Sequence, residues 1–192
     1  MKIKVRTLQD MKKVVSKKKI DYGFAVVDWN VSVENREVTN DERIRTSLPT
    51  LESALFDSGL QYLYVATHSG RPKGKGYEEA FSLQPMVKKA KLLLQKDNVE
   101  IVLLPYGLQE AEKKIAEAKQ TFVGKKIIFV FDNIRFYPEE KAKDAKGRKS
   151  FEEKLISLTG KTTANLVYID EAAAKIHRGA EASMEMINLF PP

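Results

Sequence analysis

Arginine and histidine side chains follow three apolar runs of this sequence, at the points where buried strands would end. These residues are His68, Arg71, Arg135, His177 and Arg178. The guanidinium group of arginine is a planar fork of donors that fits a phosphate or a carboxylate bidentately. In an open parallel sheet, ligands bind beyond the carboxyl ends of the strands. The residue types and their positions therefore predict an anion site at one edge of a sheet.

Polar residues also follow the first apolar run, and a further arginine comes soon after them. Asp28 and Asn30 lie directly at the end of that run. Arg43 falls in the first turn of a predicted helix, for which Thr39 and Glu42 would form a capping box. The helix dipole disfavours a cation at this position by about 0.3–1 kcal/mol. Either the adjacent acidic residues neutralise Arg43, or Arg43 faces an anion bound in front of the helix.

Short apolar runs alternate along the chain with segments of helical periodicity. The predicted strands are residues 22–28, 62–67, 99–106, 126–132 and 166–170. The predicted helices are residues 46–56, 85–94, 108–121 and 151–158. Several runs are apolar without alternation, which is typical of parallel strands covered on both faces. The pattern predicts an α/β fold: a doubly wound three-layer domain, with a mainly parallel sheet of five or six strands, as a single domain over residues 1–192.

The composition excludes several classes of protein. The sequence has no cysteine, which excludes disulfides, thiolate metal sites and a cysteine nucleophile. No apolar signal region follows the first residues, and no apolar run approaches the ~18 residues of a membrane span. We therefore expect a cytoplasmic protein without membrane contact. The formal charge is +7, but no aromatic-studded strand or recognition helix accompanies the lysine clusters, so the charge does not favour nucleic acid as a partner.

Other catalytic and cofactor motifs are incomplete in this sequence. Residues 160–162 have the residue types that end a phosphate-binding loop, but the first glycine of that motif would fall at Leu155, and a helix precedes the segment. The glycines between residues 70 and 76 do not have the spacing of a dinucleotide fingerprint. Two distant histidines without cysteines make a weak case for zinc. We therefore expect this chain to bind no metal and no cofactor of its own.

Five segments resemble, in order, the amino-terminal domain of phosphoglycerate kinase. These segments are residues 26–32, 41–50, 67–74, 82–85 and 132–140. At residues 67–72, for example, Thr-His-Ser-Gly-Arg-Pro stands where the family has Ser-His-Leu-Gly-Arg-Pro. Each motif is weak alone, but five motifs in register over about a hundred residues are specific.

The resemblance implies that the chain binds 3-phosphoglycerate and its acyl phosphate, 1,3-bisphosphoglycerate. The residues that match the family's substrate site are Asp28, Asn30, Arg43, His68, Arg71, Arg135 and Arg178. By this resemblance, the first two residues meet the hydroxyl and carboxylate end of the substrate, and the last four form a basic patch on its phosphate side. Arg43 is implied to be catalytic, since its charge would stabilise the phosphoryl group in flight between the acyl phosphate and the nucleotide.

The segment at residues 170–183 departs from the family's pattern. The family's Gly-Thr turn is lost, one residue is added, and the second histidine of the family has no counterpart. Glu181 lies near the position of that histidine, where a carboxylate would repel a phosphate. Arg178 lies within this segment, so its match to the family's substrate site is weaker than that of the other six residues.

The resemblance also implies a partner for this chain. The family has a second domain that binds Mg-ATP or Mg-ADP, and we expect that domain to be absent from residues 1–192. The chain would then be inactive without a nucleotide-binding domain, and that domain or another protein would cover the interdomain face. Two alternatives stay open: a non-catalytic kinase-like binding or assembly subunit, which the altered 170–183 segment favours, and a nucleic-acid binder that uses the lysine runs.

Overall fold

A central sheet of five parallel strands organises the protein, which a computed structural model describes over residues 7–172 and 181–190. The strands are β1 (Tyr22–Val26), β2 (Val33–Glu34), β3 (Glu37–Val38), β4 (Tyr62–Ala66), β5 (Val99–Leu104), β6 (Lys126–Phe131) and β7 (Val167–Asp170). The main sheet has the order β5-β6-β4-β1-β7, and every neighbouring pair in it is parallel. β2 and β3 form a separate antiparallel hairpin. The carboxyl ends of all five main strands therefore lie at one edge of the sheet.

Helices cover both faces of this sheet. They are α1 (Leu8–Lys18), α2 (Glu42–Phe56), α3 (Gln84–Leu94), α4 (Leu108–Thr121), α5 (Ala145–Ser157) and α6 (Ala182–Glu185). Successive residues of β4 point to opposite faces, so that Leu63 and Val65 join one buried cluster while Tyr64 and Ala66 join the other. The first cluster includes α1, α2 and α3, and the second includes α4, α5 and α6. The predicted three-layer α/β architecture with a parallel sheet is confirmed.

The predicted strands are all present, with ends that differ by at most two residues. Helix α4 has the predicted bounds, whereas α2 and α5 begin four and six residues earlier than predicted. The β2–β3 hairpin and the helices α1 and α6 were not predicted. Helix α1 begins with a capping box between Thr7 and Asp10. Within the described ranges, no helix combines the length and the apolarity that crossing a membrane requires.

The capping box predicted at Thr39 and Glu42 is wrong. Thr39 instead closes the β2–β3 hairpin, because its amide and its hydroxyl both donate to the carbonyl of Ser32, at 3.1 and 3.3 Å. The N-cap of α2 is Asp41, two residues after Thr39, and its side chain makes no capping hydrogen bond. The amide of Glu42 donates to Asn40 Oδ1 at 3.0 Å. The polar residues at 39–41 thus divide between the hairpin and the helix start.

Candidate functional site at the carboxyl edge of the sheet

The segment after β1 carries two candidate residues and joins them to the start of α2. Asp28 forms a salt bridge with Arg43, whose Nη1 donates to Asp28 Oδ2. Asp28 Oδ1 also accepts from the amide of Asn30, at 3.2 Å. The Arg43 side chain remains 49% exposed. The partner of Arg43 is therefore Asp28, which follows β1, and not the neighbouring Asp41, which pairs with Arg45.

Trp29 fixes this segment against α2 and against the loop after β4. Its indole Nε1 donates to Ser47 Oγ at 2.7 Å, and its backbone amide donates to Thr67 Oγ1 at 3.0 Å. The indole is fully buried, so its N–H group needs this partner within the core. Ser47 Oγ in turn donates to the carbonyl of Ile44. These bonds hold the first turns of α2, and with them Arg43, beside the carboxyl end of β1.

Gly70 connects the segments that follow β1, β4 and β6. Its amide donates to Asn30 Oδ1 at 2.8 Å, and its carbonyl accepts from Arg135 Nη1 at 3.0 Å. Gly70 has a φ of +60°, and a Cβ atom there would lie 2.6 Å from the ring of Phe81. Both the backbone conformation and the close approach therefore require glycine. Arg71 follows directly and is positioned by the same loop.

Two buried residues at the end of β6 hold this arrangement together. Asn133 Nδ2 donates to the carbonyls of Ser69 and Phe81, at 2.7 and 2.8 Å. Asp132 accepts from the amide of Leu83, at 2.7 Å. Burial raises the pKa of the Asp132 carboxyl, and the hydrogen bonds that it accepts lower this pKa. Both residues tie the loop after β4 and the start of α3 to the central sheet, which is a structural role.

Arg135 is paired with a carboxylate from the last described segment, residues 181–190, which we call the α6 segment. Arg135 Nη2 donates to Glu181 Oε1 at 2.7 Å, and Lys141 Nζ lies 3.4 Å from the same oxygen. The Arg135 and Glu181 side chains are only 15% and 19% exposed. The Nε–H group of Arg135 is buried and has no hydrogen-bond partner among the described residues. The basic side of the site is thus partly occupied by a carboxylate of the chain itself.

Two more contacts anchor the α6 segment. Arg148 donates from Nε and Nη2 to the two carboxylate oxygens of Glu185, at 2.8 and 2.9 Å. The buried Glu140 carboxyl group accepts from the amide and the hydroxyl of Ser183, at 3.1 and 2.5 Å. Burial raises the pKa of Glu140 to about 8, against the opposing effect of the Ser183 hydrogen bonds. The α6 segment therefore packs through polar contacts beside Arg135.

The remaining candidates differ in burial and in pairing. His68 is 7% exposed and lies two residues before Gly70. Arg71 is exposed, and within the described residues its guanidinium makes no hydrogen bond or ion pair. Arg178, like His177, lies outside the described residues. The carboxyl-edge site, as we define it from here on, consists of Asp28, Asn30, Arg43, His68, Arg71 and Arg135.

The described candidate residues lie at the start of α2 or follow β1, β4 and β6, as the sequence predicted, but the residues that position them were missed. Trp29, Gly70 and Asn133 all lie inside the matched motifs, but neither spacing nor residue type revealed their partners. A glycine between a histidine and an arginine was the one available signal, since glycine marks a positive φ or a close approach. Among the described residues, no group of three or more histidine or acidic side chains is arranged to hold a metal ion.

Comparison with known proteins places the chain among phosphoglycerate kinases. The chain is 36% identical over 164 residues to the phosphoglycerate kinase of Arthrobacter sp. (strain FB24), which covers 85% of this chain and 37% of that protein. It is 33% identical over 168 residues to phosphoglycerate kinase 1 of Homo sapiens, covering 85% of this chain and 38% of the relative. The chain thus spans little more than a third of the length of these relatives.

Solved structures share the fold at lower sequence identity. The structure of phosphoglycerate kinase from Pyrococcus horikoshii OT3 has a TM-score of 0.60 and 22% identity, covering 85% of this chain and 36% of that one. The structure from Coxiella burnetii has a TM-score of 0.56 and 23% identity, covering 84% and 35%. The family model for phosphoglycerate kinase matches residues 11–192. Because that match covers nearly the whole chain, this chain belongs to the phosphoglycerate kinase family.

Proposed function

We propose that this chain is the half of a phosphoglycerate kinase that binds 3-phosphoglycerate and 1,3-bisphosphoglycerate. The observation that carries the proposal is the hydrogen-bonded connection from Asn30 through Gly70 to Arg135. This connection joins the segments that follow three strands. Arg71 directly follows Gly70, is exposed, and makes no hydrogen bond or ion pair within the described residues. A guanidinium that lacks a partner among the described residues, on a loop held by Gly70 and Asn133, is suited to bind a phosphate.

Each residue of the site has a role that follows from its position. Asp28 and Asn30 offer carboxylate and amide groups for the hydroxyl and carboxylate end of the substrate. Arg71 would offer its guanidinium to the phosphate. His68, three residues before Arg71, and Arg135, which donates to the carbonyl of Gly70, would extend the basic patch, with Arg178 as a further member. The half-exposed Arg43 can approach the charge that develops on a phosphoryl group in transfer, which is the main catalytic need of this reaction.

The nucleotide would come from outside this chain. We propose that residues 1–192 form one domain and that a separate nucleotide-binding domain, or another protein, covers the carboxyl-edge site. The relatives are more than twice as long as this chain, which supports a requirement for further residues. Mg-ATP or Mg-ADP, bound there, would supply the phosphoryl donor or acceptor. Alone, the chain would bind substrate without turning it over.

A second candidate function is a non-catalytic binding or assembly subunit of the same fold. Two described ion pairs favour it: Arg43 with Asp28, and Arg135 with Glu181. An arginine that is already neutralised within the chain attracts an external anion less strongly. In this alternative the site would be a relic, and the surface around it would contact another protein.

Calorimetric titration of 3-phosphoglycerate into the chain at low salt tests the proposal. We expect saturable binding with one site, weakened at least tenfold in Arg71→Ala, because charge-assisted hydrogen bonds are worth about 1.5–3 kcal/mol. Lys18→Ala is the matched control, since it removes the same charge from the exposed end of α1, at the opposite edge of the sheet. Absence of saturable heat at millimolar ligand, or equal weakening in the control, would contradict the substrate-binding proposal and favour the assembly subunit.

A further inference from the structure

Two arginine–glutamate pairs tie the α6 segment to the rest of the protein, and their geometries are unequal. Arg148 and Glu185 form a two-point pair, with both carboxylate oxygens engaged. Arg135 and Glu181 form a one-point pair, in which a single carboxylate oxygen accepts from Nη2. Bidentate pairs are the stronger and more specific of the two kinds. The Arg148–Glu185 pair therefore anchors the α6 segment. The Arg135–Glu181 pair is weaker, so an anion that engages two donors of Arg135 could replace Glu181.

Arg135 still has a donor without a partner. Its Nε–H group is buried and makes no hydrogen bond within the described residues. A buried unpaired donor is unfavourable, and on a guanidinium it lies on the same side as Nη2. An anion with several oxygens that approached this side of Arg135 could satisfy two donors where Glu181 satisfies one. Lys141, 3.4 Å from Glu181 Oε1, would contribute a second positive charge to the same anion.

The Glu181 side chain can leave without unfolding the segment that carries it. Glu181 is the N-cap residue of α6, and its side chain makes no capping hydrogen bond. Its backbone carbonyl accepts the amides of Met184 and Glu185, at 3.0 and 3.1 Å, and these bonds do not involve the carboxylate. The contacts of Ser183 with Glu140 and of Glu185 with Arg148 hold the helix from its other residues. Rotation of the Glu181 side chain would therefore release Nη2 of Arg135, while Nη1 keeps its bond to the carbonyl of Gly70.

From these contacts we propose that Glu181 is an internal competitor for the anion at the carboxyl-edge site, and that ligand binds by displacing its carboxylate from Arg135 and Lys141. The inference rests on the proposed function and adds a specificity-determining residue to it. The carboxylate keeps the partly buried Arg135 neutralised when no ligand is bound. The affinity of the site for small anions is correspondingly lower than its arginines alone would provide.

The experiment compares the unaltered chain with Glu181→Gln, which keeps the side-chain shape and one acceptor oxygen but removes the charge. The probes are 3-phosphoglycerate and, separately, inorganic phosphate, each titrated calorimetrically at low salt. We expect Glu181→Gln to bind either anion about tenfold more tightly, which corresponds to ~1.4 kcal/mol. Glu185→Gln is the matched control, since it removes the same charge from the same segment but at the Arg148 anchor. Thermal unfolding of each variant shows that it is folded.

The outcomes separate this inference from the proposed function. Tighter binding of both anions in Glu181→Gln, with no gain in Glu185→Gln, supports both. Tighter binding of inorganic phosphate without any binding of 3-phosphoglycerate supports the internal competitor and contradicts the proposed substrate. Binding of 3-phosphoglycerate that is unchanged or weaker in Glu181→Gln overturns the competitor and leaves the substrate proposal standing. An equal gain in anion affinity in Glu181→Gln and Glu185→Gln would show a general charge effect and would contradict the competitor role of Glu181. Failure of folded Glu181→Gln to bind either anion would contradict it as well.

Discussion

The buried side chain of Asn133 joins three segments at the carboxyl-edge site, and Asn133→Ala tests how much stability these bonds contribute. The Asn133 side chain is completely buried and lies between the loop after β4 and the turn before α3. Its Nδ2 donates to the carbonyls of Ser69 and Phe81, and its Oδ1 accepts from the amide of Arg135, at 3.2 Å. Alanine cannot replace any of these three bonds.

The expected loss of stability follows from the groups left without partners. A buried polar group that loses its only partner costs about 1–3 kcal/mol, and Asn133→Ala leaves two carbonyls in this state. Part of this cost is recovered where water can reach the carbonyl of Phe81, whose bond is only partly buried. We therefore expect the free energy of unfolding to fall by about 2–5 kcal/mol, out of about 5–15 kcal/mol for a typical domain.

Urea unfolding followed by the fluorescence of Trp29, the single tryptophan, measures this loss. The comparison requires equal denaturant slopes for the two proteins, so that a shift in midpoint reports stability alone. Asn165→Ala is the control, because Asn165 is exposed and its side chain makes no hydrogen bond within the described residues; its effect should stay within about 0.5 kcal/mol. A loss below about 1 kcal/mol for Asn133→Ala would refute the argument that this amide holds the loops together.

Two further predictions concern buried polar groups near the site. Ser47→Ala should lower the free energy of unfolding by about 1–3 kcal/mol, because the buried indole of Trp29 loses its acceptor; an unchanged urea midpoint would contradict this. Glu140 has a pKa raised from 4.5 to about 8, so the folded chain binds its proton more tightly than the unfolded chain, and stability should fall as pH rises from about 4.5 to 8. In Glu140→Gln this fall should be smaller, by on the order of a few kcal/mol across the window, as measured by urea unfolding at several pH values; equal slopes in the two proteins would show that Glu140 does not control it.

The fold could be predicted from the sequence because its strands are buried on both faces. A continuous apolar run such as residues 127–131 has few alternatives to a central parallel strand. Once the strands are parallel, their carboxyl ends must meet at one edge, and the residues that follow them are brought together by topology alone. Helix α1 was not predicted because only Met11 and Val15 are buried on it. Its apolar pattern is therefore short, and most of its other residues are polar or charged.

The pairing within the site could not be predicted from the sequence. Arg135 and Glu181 are separated by 46 residues, and their contact depends on how the α6 segment packs against Glu140 and Arg148. The resemblance to the family indicates that a carboxylate, Glu181, lies near the basic patch, but not whether it repels a ligand or pairs with an arginine. The start of α2 shows the same limit, since several adjacent residues are able to cap a helix and only the hairpin contact of Thr39 decides between them.

The balance of charge at the site links these observations. The guanidinium groups of Arg43 and Arg135 pair with the carboxylates of Asp28 and Glu181, and Lys141 lies beside Glu181. Arg71 adds a fourth positive charge to the proposed site. A phosphate ester carries about −1.5 to −2 at neutral pH, and the carboxylate of phosphoglycerate adds another negative charge. With Glu181 in place, the negative charge of such a ligand would exceed the net positive charge of the site. Departure of the Glu181 carboxylate from Arg135 would restore an approximate balance. Glu181 and an external anion thus compete for Arg135 in a single equilibrium. By this inference, an anion of sufficient charge displaces the Glu181 carboxylate and occupies the site.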